Sequence, residues 1–217
     1  MSQTTPAIAN PEQPRTQAER TAAAESSMIR AAIDLLNTVG IQGTTLVAIG
    51  EKAGYSRGLA SHHFGSKAGL FRTVLKRITA VWTKQLVHSL EGKTGLQAFT
   101  TAIDTHLAHV TSHPDYILAT NILWGAALDP SSEFKPNVAE FMQIQRESVA
   151  AWVRGGQALG EIRSDVNSDH IGEQFYGCLI GINHQWLVSP DFDLAAAYND
   201  FKLNFLRLLS AKQHKRN

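Results

Sequence analysis

Apolar residues recur with helical spacing along most of the chain. Ile29, Ala32, Ile33 and Leu36 fall at i, i+3, i+4 and i+7, Met28 and Val39 widen the stripe, and Gly40 stands in the stop position. This predicts a first helix from about residue 21. Thr44 is placed to cap a short second helix over 45–53, which ends at Gly54, and Ser56 to cap a third over 57–63. Ser66 opens a long fourth helix, with Leu70, Phe71, Val74, Leu75, Ile78, Val81, Trp82 and Leu86 along one face. The same period continues over 96–110, 116–128, 138–159, 168–188 and 195–209, with His113-Pro114 and Asp129-Pro130 as breaks. Sustained alternation and Asn-Gly or Asp-Gly turns are both missing, so the fold class expected is all-α.

Residues 1–20 carry Pro6, Pro11 and Pro14 among Thr, Gln, Asn and Ala, and predict a mobile arm. The expected organisation is that arm, a compact three-helix head over 21–66, and a helical body over 67–217. At 217 residues, with 43% hydrophobic and 18% charged, the chain has ample material for a core. No apolar run approaches the ~20 residues that span a bilayer, so no membrane partner is expected. The start lacks a basic segment followed by an apolar one, which predicts a cytoplasmic protein. The single Cys178 excludes an internal disulfide and a Cys-clustered zinc site and agrees with a reducing compartment.

The net charge of +1 hides a division. Residues 1–90 are net +5 and the remainder net −4; between residues 45 and 90, seven basic side chains face Glu51 alone. Such an imbalance suits a surface that meets a polyanion. Two short helices joined at Gly54-Tyr55 form the pattern of a helix-turn-helix. Ile49 and Ala53, then Leu59 or Ala60 with Phe64, can seat it on the first helix, which turns Arg57, Gly58, Ser61 and His62 outward as candidates for base-edge contact. Thr44, Thr45, Tyr55 and Lys67 are the phosphate candidates, set at helix starts and in the turn.

The run Gly43-Thr44-Thr45, Ile49, Ala53-Gly54-Tyr55-Ser56, His63-Phe64, Ser66-Lys67 and Leu70 resembles the DNA-binding segment of TetR-type transcriptional regulators. Two places depart from that pattern: Gly50 replaces the usual Ala, and His62 stands where a Tyr often meets a phosphate. The resemblance implies a non-enzymatic, cofactor-free regulator. It would be a homodimeric repressor on a palindromic double-stranded operator, with a C-terminal body that takes a small-molecule inducer. On that reading His106, Trp124, Phe141, Gln145, Trp152 and Phe175 are pocket candidates, and Gly177, Gly181, His184, Trp186, Phe201 and Phe205 are dimer candidates. The spacing of His106, His109 and His113 places them on one helix face, which leaves a metal-sensing regulator as an alternative. The Gly54-Tyr55-Ser56-Arg57-Gly58 run also fits the nucleophile elbow of a serine hydrolase, a reading that needs a strand before Ser56.

Overall fold

The computed structural model describes residues 16–189 and 191–211; most of the expected arm, residues 1–15, lies outside them. Residues 17–20, expected in the arm, are helical. The reason is local: Thr16 and Glu19 form a capping box, the Thr16 hydroxyl accepting from the Glu19 N–H at 3.2 Å and the Glu19 carboxylate from the Thr16 N–H at 2.7 Å. Such a box starts a helix without any apolar face to bury. The resulting α1 (Gln17–Gly43) breaks at Gly40, whose φ of 67° and ψ of −170° leave helical geometry. The hydroxyl and N–H of Thr44 both return to the Gly40 carbonyl, at 2.8 and 3.2 Å.

Three short loops then set the head. α2 (Leu46–Ala53) is capped by Thr45, not Thr44; the Thr45 hydroxyl accepts from the Ala48 N–H at 3.1 Å. Gly54, at φ 76°, ends it in the left-handed conformation that favours glycine. Ser56 caps α3 (Arg57–Phe64) and Ser66 caps α4 (Lys67–Ser89), as their positions predict. The body adds α5 (Gly95–Ser112), α6 (Pro114–Ala126), α7 (Lys135–Ala158), α8 (Ser168–Val188) and α9 (Leu194–Leu209). Pro114 takes the first turn of α6, where its missing N–H costs nothing. Among the described residues the only extended pairing is an isolated bridge between Ile162 and Ser210, so the fold is all-α.

Apolar burial divides into two cores. The first joins Met28, Ile33 and Leu36 of α1, Ile49 of α2, Ala60 and Phe64 of α3 and Leu70 to Ile78 of α4 with Ala119 and Leu123 of α6. The second gathers Phe99, Ile103 and Val110 of α5, Val149 and Val153 of α7, Phe175 and Leu179 of α8, and Tyr198, Phe205 and Leu209 of α9. α4 serves both: its first half fills the head and Leu86 reaches the body. One continuous helix therefore runs from the core of the head into that of the body.

Candidate nucleic-acid interface and inner cavity

α3 is seated by its apolar side. Ala60 and Phe64 are buried and Leu59 packs partly against the same core, which leaves Arg57, Gly58 and His62 exposed and Ser61 half-buried at its edge. The Ser56 hydroxyl accepts from the Leu59 N–H at 3.2 Å, fixing where the helix begins. The first turn thus offers a guanidinium, a residue without a side chain and unpaired backbone N–H groups, a set that can lie in a groove and address a base edge.

The phosphate candidates fare unequally. Thr45 is exposed at the start of α2 and Tyr55 is half-buried against the first core. Thr44 is fully buried and its hydroxyl is spent on Gly40, so it has no side-chain surface for a phosphate. The carbonyl left by the helix break at Gly40 needs a donor, and the nearest hydroxyl turns inward to supply it. Lys67 donates from Nζ to the Gln42 carbonyl at 3.3 Å and lies 5.7 Å from the Phe71 ring centroid; burial lowers its pKa. The basic excess is also split between surfaces. Lys52 pairs with Asp34 at 3.6 Å, while Arg72 and Lys76 line a groove toward α7 that also holds Glu140.

Gly50 has a steric role. It is buried in α2, its carbonyl accepts from the Tyr55 N–H at 2.8 Å, and a β-carbon there would stand 3.1 Å from the carbonyl oxygens of Tyr55 and Ser56. The turn folds tightly over the helix because the side chain is missing.

In the body, five helices enclose a cavity of about 70 Å³. All six pocket candidates, His106, Trp124, Phe141, Gln145, Trp152 and Phe175, line it. Sequence periodicity missed Asn121 and Asn183, which line it too; for Asn121 a lone amide inside a mostly apolar helix was the available signal, whereas α8 carries other amides beside Asn183. His106 Nδ1 lies 2.6 Å from the Tyr198 hydroxyl, which donates to Asn183 Oδ1 at 2.7 Å. His109 Nδ1 meets Gln85 Oε1 at 3.0 Å, and Trp82 Nε1 donates to Gln145 Oε1 at 3.3 Å. Burial, reinforced by the neighbouring imidazoles, brings His106 down to about 3 and His109 to about 4. Both are neutral at pH 7, and burial also holds the Tyr176 and Tyr198 phenols protonated.

Three other expectations change or take shape. His106, His109 and His113 do not form a group able to hold a metal ion among the described residues, since the first two direct Nδ1 to separate partners on α9 and α4. The residues before Ser56 are the helix α2 and a turn, not a strand, so the hydrolase pattern lacks the element it needs. On α8 a β-carbon built at Gly177 or Gly181 meets nothing within 4 Å, and His184 is exposed. Phe201 is half-buried and Trp186 packs partly against the second core. Phe205 is buried, 5.4 Å from Phe175 and 5.6 Å from Phe99 between ring centroids, so its ring fills this chain's own core and is withdrawn from the dimer candidates.

Residues 28–74 match the family model described as bacterial regulatory proteins, tetR family. The regulator RutR of Escherichia coli K12 is 27% identical over 137 residues, 62% of this chain and 64% of that protein. BetI of Vibrio vulnificus is 26% identical over 105 residues, 46% of this chain and 52% of that protein. The chain therefore spans between half and two thirds of the length of these curated relatives. A TetR transcriptional regulator from Chloroflexus aurantiacus superposes with a TM-score of 0.75 at 20% identity, covering 88% of this chain and 98% of that one. At that identity the likeness is one of fold.

Proposed function

Since the chain belongs to the TetR-type family of bacterial regulators, we propose that it is a homodimeric repressor that holds a near-palindromic operator and is released from it by a small molecule in the body. The head, residues 21–66, reads DNA, and the body, 67–217, senses and pairs. The carrying observation is the exposed leading end of α3, where Arg57 and Gly58 stand free beside the Ser56 cap.

Two α3 segments, one from each protomer, enter successive major grooves about one helical turn apart. Arg57 takes a guanine edge with two hydrogen bonds, and Thr45, Tyr55 and backbone N–H groups hold phosphates. The open face of α8 around Gly177 and Gly181, with Phe201 of α9, meets its copy as a bundle. A ligand in the cavity presses on Ile78, Thr79 and Trp82, all on α4, and α4 carries the shift to Leu70 and Phe71 beneath the head. Release follows only if the ligand prefers the geometry that does not fit DNA. The work is done in the cytoplasm, where the operator is.

Selection of bound duplexes from a random pool tests this directly. A palindromic winner whose affinity falls steeply with salt is expected. A winner without twofold symmetry, or no enrichment at low salt, overturns the proposal.

A further inference from the structure

The cavity in the body has no formally charged wall. Its polar lining consists of hydroxyls, amides and the two histidines His106 and His109, which burial keeps neutral. An ion entering it would give up its hydration and meet no counter-charge among the lining residues, the Arg146 cation standing behind Tyr176. The rest of the wall is aromatic and aliphatic, with Trp82, Trp124, Trp152, Phe141 and Phe175 contributed by four helices. Flat rings pack against such walls edge-on or offset.

Most of the polar groups are already spent. The Thr120 hydroxyl donates to the Tyr116 carbonyl at 2.7 Å and the Asn121 amide to the Ile117 carbonyl at 3.0 Å. Gln145 and Asn183 accept from Trp82 and Tyr198. One group stands apart: the indole N–H of Trp124 is buried and has no acceptor. A buried donor without a partner is a cost that folding rarely leaves standing. The Trp124 ring lies 6.3 Å from that of Phe141 and 6.2 Å from that of Tyr176. Trp124, Phe141 and Thr79 also line the open groove between α4 and α7, so this unsatisfied donor belongs to a wall shared by the cavity and the outside.

We propose, resting on the reading of this cavity as the inducer site, that its ligand is an uncharged aromatic molecule with an oxygen acceptor, and that this oxygen takes the Trp124 indole N–H. Entry is through the groove between α4 and α7, past Trp124 and Phe141.

Calorimetric titration of the full chain without DNA tests the proposal with four one-ring or ring-sized probes: acetophenone, ethylbenzene, cyclohexyl methyl ketone and benzoate. Acetophenone is expected to bind most tightly and benzoate to give no heat. Trp124→Phe keeps an aromatic ring and deletes the donor. It should weaken acetophenone roughly 3- to 10-fold, the worth of one hydrogen bond, and ethylbenzene by less than about two-fold. Trp152→Phe removes wall area without touching the unpaired N–H and should weaken both probes alike. Benzoate binding as well as acetophenone, equal binding of the cyclohexyl ketone, equal losses in Trp124→Phe, or no binding by any probe overturns the proposal. Its failure is separable from that of the regulatory reading: acetophenone that binds as expected yet leaves retention of the selected duplex unchanged sinks the regulatory reading and leaves the ligand class intact.

Discussion

His106 and Tyr198 are joined at 2.6 Å between Nδ1 and the phenol oxygen, and the direction of that bond is fixed from the far side. The single hydroxyl proton of Tyr198 goes to Asn183 Oδ1 at 2.7 Å, so the oxygen accepts from His106, whose Nδ1 carries the proton. The chain of bonds ties α5 to α9 and α8 behind the cavity. Tyr198→Phe keeps the ring and strands both ends, the His106 N–H and the Asn183 carbonyl. Its expected cost is about 1–3 kcal/mol of stability, read as a lower urea midpoint at pH 7. A variant as stable as the parent would mean that the network contributes nothing net.

The same histidines make the body sensitive to acid. In the folded chain His106 titrates at about 3 and His109 at about 4, against 6.5 for a free imidazole, because burial disfavours the cation. Below 6.5 the unfolded chain takes up protons that the folded one refuses, so stability is present above that pH and is lost as the pH falls toward 4. The limiting slope is about 1.4 kcal/mol per pH unit for each histidine. Urea midpoints should therefore drop steadily between pH 7 and 5, and His109→Gln should flatten the profile. A profile flat in the parent chain refutes the assignment of both imidazoles as neutral.

The parts of the molecule written in local spacing were legible in the sequence. Ser56 and Ser66 cap the helices that their positions announce, and α8 has the bounds that its apolar period gives. The six cavity residues come from the family resemblance and not from spacing, and they do line one cavity. Tertiary demands were not legible. Thr44 and Thr45 are equivalent as a pair of hydroxyls until the break at Gly40 leaves a carbonyl that only Thr44 reaches. Phe201 and Phe205 share one stripe of α9, but the stripe is wide, and its burial beside Phe175 removes Phe205 from the outer surface. Lys67 reads as a phosphate ligand until its head is found on the Gln42 carbonyl.

That contact sets Lys67 apart from Arg57. Arg57 is exposed at the start of α3, and Arg57→Ala should reduce affinity for the selected duplex by about 1–3 kcal/mol and relax preference at one base pair per half-site. Lys67→Ala removes a cation held on the Gln42 carbonyl and not on a phosphate, so sequence preference and the log–log salt slope should stay nearly unchanged. Because Lys67 links α4 to the end of α1, its removal should lower the urea midpoint, whereas Arg57→Ala should not. Anisotropy titrations on matched and single-mismatch duplexes distinguish the two; identical profiles would mean that Arg57 does not read bases.

Gly58 offers a sharper division between folding and reading. A β-carbon built there meets only the Ser56 hydroxyl, at 3.7 Å, an ordinary contact. Gly58→Ala should therefore raise stability by about 0.5–1 kcal/mol through helix propensity. The same methyl projects from the exposed face of α3 toward the groove and should lower duplex affinity. A stabilised variant with full affinity would place the groove floor elsewhere than against this turn.

Gly177 and Gly181 lie one helical turn apart on α8, and beyond the adjoining turns of the helix itself a β-carbon added at either would meet nothing within 4 Å. In a lone protomer such sites would be better served by alanine, which helices prefer by about 1 kcal/mol. Glycine lets a second helix approach closely, and the copy of α8 in the partner is the helix proposed to do so. Gly181→Leu should leave the protomer folded, since the new side chain enters open space, and should separate the protomers by filling the contact. Sedimentation equilibrium should then report monomer for the variant and dimer for the parent, with the far-ultraviolet circular dichroism unchanged. A palindromic duplex would be held through single half-sites, so affinity should fall far more than it does for an isolated half-site. A variant that remains dimeric would move the pairing surface off this face of α8 and take the symmetric operator geometry with it.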